Sequence, residues 1–278
     1  MNANVGGIVP LSTVDWRGRS AVTVFLNGCP FRCGYCHNYD LLTKVNPTDL
    51  ELVKKRILES KPYVSAVVFL GGEPLMQEDA VLEIAAFAKE NGLFVGIHTN
   101  GFYPEAAASL IEKGLADKFF IDIKAPLENE IYNKTVGIQD EKQKMKRESL
   151  GAALRVDRSF GPVKNEKIIE RLQKTIQIVD ESLSELEIKT TVFPECVGTK
   201  EQIAEISKWM NENIKQKEKL TYVLQQGKGV NSNDPVFQKM TFLSPEEMDR
   251  LAEIALENLE KTMVFTQTDE NGRVEKRK

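Results

Sequence analysis

The sequence has little that would mark a secreted, membrane-bound or nucleic-acid-binding protein. No stretch approaches the roughly 20 apolar residues that cross a bilayer. The opening MNANVGGIVPLSTVDWRG has no basic region followed by an apolar run, so no secretory signal is expected. A net charge of −4 argues against a general polyanion or membrane-surface binder. There is no repeat beyond strand–helix alternation, no low-complexity segment and no linker dividing two domains. Cysteine is scarce, four in 278 residues, and three of the four crowd into one loop. That distribution speaks against a disulfide framework. It points to a reducing, cytoplasmic setting and to metal binding.

Hydrophobic residues make up 41% of the chain, enough for a sizeable core. They fall in a strand–loop–helix rhythm. AVTVFL (21–26), AVVFL (66–70), LFVGIHT (93–99), KFFIDIK (118–124), LEIKTTVF (186–193) and KLTYVLQ (219–225) read as strands. Their apolar residues run consecutively, as in parallel strands covered on both faces. Helices are expected at 46–61, with Asn46 as cap and Pro47 in the first turn, and at 78–90, 104–114, 164–180, 200–214 and 245–260. The rhythm pauses at about 125–163, an excursion without clear periodicity that carries the charge run 140–148. The core is expected over 1–263. The basic residues near the end of 264–278 read as a frayed C-terminal tail.

Six sequential βα units form either an open doubly wound sheet or a partial barrel, and both collect ligands at the C-terminal ends of the strands. The unusual residues sit there. A cysteine loop follows the first strand, Gly-Gly-Glu the second and Thr-Asn-Gly the third, while Asp122 and Lys124 end the fourth. Core packing does not account for polar chemistry on four successive strand ends.

The loop GCPFRCGYCHN (28–38) spaces its cysteines as Cys29-x3-Cys33-x2-Cys36. A structural zinc site needs four ligands, and neither His37 nor the distant Cys196 is well placed to be the fourth. A redox disulfide uses only two. An iron–sulfur cluster is normally held by four thiolates, and three would leave one iron open to a reacting ligand. Taken alone, Cys196 reads as a small buried hydrophobe, and Trp16 and Trp209 as packing residues.

Beyond its cysteines, the chain resembles the radical S-adenosylmethionine superfamily. Tyr35 holds the aromatic position before the third cysteine, and Gly71-Gly72-Glu73-Pro74 matches a second motif at the next strand end. VDWRG, CHN, TNG and DIK are similar to the glycyl-radical-enzyme activases, most of all to the anaerobic ribonucleoside-triphosphate reductase activating proteins. The likeness is dense over 5–125 and at LQQ (224–226). It implies a partial (β/α)6 barrel of the radical SAM type.

The resemblance also implies the cofactors: a [4Fe–4S] cluster on Cys29, Cys33 and Cys36, and S-adenosyl-L-methionine on its open iron. Tyr35 would then pack beside the adenine. Gly71 and Gly72 would let the backbone approach the methionine end, and Glu73 would pair with its ammonium. Thr99, Asn100, Asp122 and Lys124 would make further cofactor contacts, and no side chain is required as a catalytic acid or base. The implied partners are a glycyl-radical enzyme and an electron donor such as flavodoxin or ferredoxin, with no nucleic acid and no membrane. Activases with a ferredoxin insert need about eight further cysteines, which are absent here. One departure is His98, which stands where these activases often carry an Asp beside a cation. Two rivals remain at this point: a small-molecule radical enzyme of the 7-carboxy-7-deazaguanine synthase type, and an iron–sulfur electron-transfer or regulatory protein.

Overall fold

The computed structural model describes residues 1–137, 167–194, 196–230, 232 and 234–277. The six expected strands appear as β2 (Ala21–Leu26), β4 (Ala66–Gly71), β5 (Phe94–Thr99), β6 (Lys118–Asp122), β7 (Glu185–Val192) and β8 (Leu220–Gln226). They pair in parallel and in chain order. A further parallel strand, β9 (Met263–Thr268), continues the series on β8. Three antiparallel strands complete the sheet. These are β1 (Asn2–Ser12), antiparallel to β2; β3 (Pro47–Asp49), antiparallel to β1; and β10 (Gly272–Lys276), antiparallel to β9.

The spatial order therefore runs β10-β9-β8-β7-β6-β5-β4-β2-β1-β3, with no reversal among its parallel strands. A doubly wound sheet would reverse direction at a switch point. This one is wound one way only, as in an open, partial barrel with antiparallel margins.

The helices are α1 (Leu50–Ser60), α2 (Glu78–Glu90), α3 (Pro104–Glu112), α4 (Asn129–Thr135), α5 (Ile168–Asp180), α6 (Lys200–Asn213), α7 (Pro235–Gln238) and α8 (Pro245–Asn258). α1 packs on α2, α2 on α3, α3 on α5, and α6 on α8, forming an outer layer. Strand alternation sorts the two faces. Val67 and Phe69 join the large core beneath the helices, whereas Ala66 and Val68 face inward with Trp16, Ala21 and Phe120. Trp16 meets Phe120 edge-on at 5.8 Å within this inward cluster. Among the described residues no helix is long and apolar enough to cross a membrane.

Three expectations are corrected. α1 starts at Leu50 with Asp49 as its cap, accepting from the Glu51 N–H, because Pro47–Asp49 is drawn into a strand by residues 2–4. The excursion at 125–163 begins with α4, in which Tyr132 and Thr135 are buried. Its charge run at 140–148 lies outside the described residues. The end of the chain is not frayed: the boundary drawn at 263/264 falls within β9, and β10 supplies Arg273 to the barrel interior. There Arg273 grips the buried Glu187 with two bonds of 2.9 and 3.0 Å. Lys118 lies 3.1 Å and Lys189 3.7 Å from the same carboxylate. A tail rich in charge is held because a buried carboxylate needs its cation.

Candidate functional site

The cysteine loop leaves β2 through Gly28, whose φ of +93° favours glycine. The Gly28 N–H donates to the Leu41 carbonyl at 2.8 Å, closing the loop on itself. Phe31 is buried and packs edge-on against Phe102 at 5.6 Å. Arg32 turns back so that Nη1 donates to the carbonyls of Cys29 and Phe31, both at 2.6 Å. Its own N–H donates to Val136 after α4 at 2.9 Å. On the opposite side, the segment after β8 clamps the loop. Ser232 Oγ donates to the Gly34 carbonyl, His37 Nε2 meets the Lys228 carbonyl, and the Phe237 ring occupies the space a Gly34 side chain would fill.

The Gly-Gly-Glu turn is fitted to this loop atom by atom. The Gly72 N–H donates to the Leu26 carbonyl at 2.8 Å and the Glu73 N–H to the Gly28 carbonyl at 2.7 Å. A Cβ on Gly72 would lie 1.9 Å from the Gly28 oxygen, and one on Gly71, where φ is +121°, would lie 2.5 Å from the Leu26 oxygen. In this structure the glycines admit the cysteine loop's backbone. Asn38 Nδ2 adds a bond of 2.9 Å to the Gly71 carbonyl.

Glu73 is fully buried. One carboxylate oxygen accepts the Leu75 N–H at 3.1 Å and the Thr99 hydroxyl at 2.8 Å, and the other accepts the Asn100 N–H at 2.7 Å. Burial pushes its pKa up to about 7 despite these donors and the charge of Lys124. The carboxylate thus ties the turn after β4 to the turn after β5. Asn100 is also buried, and its Nδ2 donates to the Cys29 sulfur at 3.7 Å.

Asp122 and Lys124 are brought together, with Nζ 2.7 Å from Oδ2. Burial opposes the Lys124 charge, but Asp122, Tyr35 and Cys33 outweigh it and hold the amine well above its usual pKa. Tyr132 Oη accepts the Lys124 N–H at 3.3 Å. Tyr35 is 6% exposed, its ring 5.0 Å from that of Phe193 and 5.9 Å from that of Phe237. Its hydroxyl is buried and finds no hydrogen-bond partner among the described residues, and Lys124 is the charge acting most strongly on it. His98 stacks on Phe120 at 4.1 Å and meets the Asp15 carbonyl at 2.9 Å. Burial, then Lys189, brings its pKa down to about 4, so the imidazole is neutral.

The residues fit the cofactors implied by the sequence. All three loop thiols have raised pKa values, chiefly through burial, Cys33 to about 11. Thiols buried together in this way become thiolates readily only when metal takes up their charge. Among the described residues no three His, Cys, Asp or Glu side chains converge on a point one ion could occupy. Thiolates serving three separate irons need no such convergence. The orphaned Tyr35 hydroxyl and the half-exposed Asp122 offer polar contacts to a ligand lying across the strand ends.

Every site residue proposed from the sequence therefore lies in one region at the C-terminal strand ends. Phe193, Phe237, Tyr132 and Phe31 were missed, since a lone aromatic carries no motif. Gln226 within LQQ proves to be a brace, donating to the Leu243 carbonyl at 2.6 Å and accepting the Asp269 N–H at 3.0 Å.

Comparison with known proteins gives the family. A sequence model of the Radical SAM superfamily matches residues 23–154. A Methanocaldococcus jannaschii protein assigned as a glycyl-radical enzyme activating enzyme is 31% identical over 267 residues, covering 96% of this chain and 97% of that one. The pyruvate formate-lyase-activating enzyme of Clostridium pasteurianum is 36% identical over 104 residues, 35% of this chain and 43% of the other. Among solved structures, a radical SAM methyltransferase from Sphaerobacter thermophilus superposes with a TM-score of 0.60 at 14% identity, over 91% of this chain and 67% of that one. This last likeness concerns the fold alone.

Proposed function

The chain belongs to the radical SAM superfamily, within its glycyl-radical-enzyme activating group, and from that premise we propose that it generates a glycyl radical on an anaerobic ribonucleotide reductase or a related partner enzyme. The cofactors of the family are a [4Fe–4S] cluster and S-adenosyl-L-methionine. When bound, they supply a 5′-deoxyadenosyl radical by one-electron cleavage of the sulfonium.

The observation that carries this reading is the joining of the cysteine loop to the Gly-Gly-Glu and Thr-Asn-Gly turns through Glu73 and Asn100. Cys29, Cys33 and Cys36 would ligate three irons. Asp122, Lys124 and the Tyr35 hydroxyl would orient the nucleoside and amino-acid parts of the cofactor, with Gly71, Gly72 and Thr99 framing the site. Glu73 would act through the turns it braces, since its carboxylate already has three donors. Phe193 and Phe237 pack on the Tyr35 ring at 5.0 and 5.9 Å and would hold it in place beside the cofactor. The open strand ends would admit a loop of the partner, and a flavodoxin or ferredoxin would deliver the electron.

The test is anaerobic. The reconstituted protein with dithionite and S-adenosyl-L-methionine is expected to release 5′-deoxyadenosine, and Cys33→Ala is expected to abolish it. Adding an anaerobic ribonucleotide reductase should produce a glycyl-radical EPR doublet. Cofactor cleavage without any doublet on such partners would overturn the activating role.

A further inference from the structure

We propose that Asn100 is a positioning residue for the cluster itself, its side-chain amide donating an N–H···S bond to Cys29 that sets how readily the cluster accepts an electron. This rests on the assignment of Cys29, Cys33 and Cys36 to an iron–sulfur cluster.

Three features fix the amide. Asn100 Oδ1 accepts the Phe102 N–H at 3.0 Å, so the amino end must face the sulfur, 3.7 Å away. The Asn100 backbone N–H is held by Glu73 at 2.7 Å. The Glu73 N–H is held by the carbonyl of Gly28, the residue before Cys29, at 2.7 Å. These contacts close a ring through Gly28, Glu73, Asn100 and Cys29 that holds the Asn100 backbone beside the cysteine loop, while the Phe102 N–H orients the amide.

The bond is also selective. Cys29 Sγ already accepts the Phe31 N–H at 3.4 Å. Among the described residues, Asn100 is the side chain that donates to any of the three loop sulfurs. The iron on Cys29 is thereby distinguished from those on Cys33 and Cys36. An N–H pointed at a ligating thiolate stabilises the more negative, reduced state of a cluster and raises its potential. A buried donor does so strongly, because no water competes for the sulfur.

The test compares the reconstituted full-length wild type with Asn100→Ala and Asn100→Ser, without S-adenosyl-L-methionine, so that a lost cofactor contact has no influence. Serine keeps an acceptor for the Phe102 N–H but is too short to reach Cys29. Iron and sulfide content and the EPR signal of the reduced wild type come first, and absence of a cluster there defeats the proposed function itself. With clusters present, EPR-monitored redox titration is expected to show both variants harder to reduce by about tenfold in the equilibrium constant, a midpoint lower by ~59 mV for one electron. Should Asn100→Ala not fold, Asn100→Ser decides. A midpoint in Asn100→Ser equal to wild type overturns the proposal. So does failure of a folded Asn100→Ser protein to take up the cluster, since a bond that only tunes the cluster is not needed to hold it.

Discussion

Glu73 accepts the backbone N–H of Asn100 at 2.7 Å, and this bond joins two strand ends that are 27 residues apart in the chain. The carboxyl that makes it is buried and holds its proton up to about pH 7, against an ordinary value of 4.5. In the unfolded chain the proton is lost near 4.5. The stabilisation it brings is therefore complete below about 4.5 and disappears as pH rises through 7. Glutamine stays neutral throughout. The unfolding free energy of wild type relative to Glu73→Gln should fall by about 3 kcal/mol between pH 4.5 and 7, because each pH unit in that interval is worth about 1.4 kcal/mol. Urea titrations of the two proteins at several pH values measure this, and a constant difference would refute it.

Gly72→Ala should be poorly tolerated although the residue lies in a turn. The added carbon would sit 1.9 Å from the Gly28 oxygen, which is itself bonded to the Glu73 N–H. The cysteine loop must move or the turn must open, at a cost of about 3 kcal/mol. A lower melting temperature and reduced iron per chain after reconstitution are expected together. Full iron loading at an unchanged melting temperature would contradict the close approach.

The barrel interior supplies a prediction independent of the cofactors. Glu187 is 1% exposed. Burial alone would raise its pKa, but Lys189, Arg273 and Lys118 reverse this and bring it down to about 2. Its contribution is present above the unfolded value of 4.5 and is lost as pH falls toward 2, about 3 kcal/mol in all. Glu187→Ala at pH 7 should cost about 3–5 kcal/mol by leaving buried cations unpaired. Denaturant unfolding checks both points, and a loss below about 1 kcal/mol would show that the network contributes little.

His98 should stay neutral across the physiological range. It is buried against Phe120, and its pKa lies near 4 instead of 6.5. Its ring-proton NMR resonance, assigned by its loss in His98→Asn, should not move between pH 5.5 and 8. Titration near 6.5 would mean that the ring is open to water.

Much of the site was legible because its chemistry is written in local spacing. Three cysteines in eight positions, two adjacent glycines before a glutamate, and a DIK at a strand end are patterns a linear reading can find. The strands and helices of the βα units were legible for a similar reason, since apolar periodicity is a local property of the chain. β1 was hidden because it forms as an antiparallel margin on β2, and β3 because residues 47–49 become a strand by pairing with residues 2–4. β10 was hidden because a basic, polar run gives no sign that Glu187, 86 residues earlier, lies buried and in need of a cation.

The sequence by itself determined the cofactor class and the order of the βα units, because ligand spacing and hydrophobic rhythm act between near neighbours. Tertiary structure alone decided that Gly72 makes room for Gly28, that Glu73 braces two turns, and that the Asn100 amide faces the Cys29 sulfur. Those relationships arise only when strand ends distant in the chain are set side by side, within reach of a hydrogen bond.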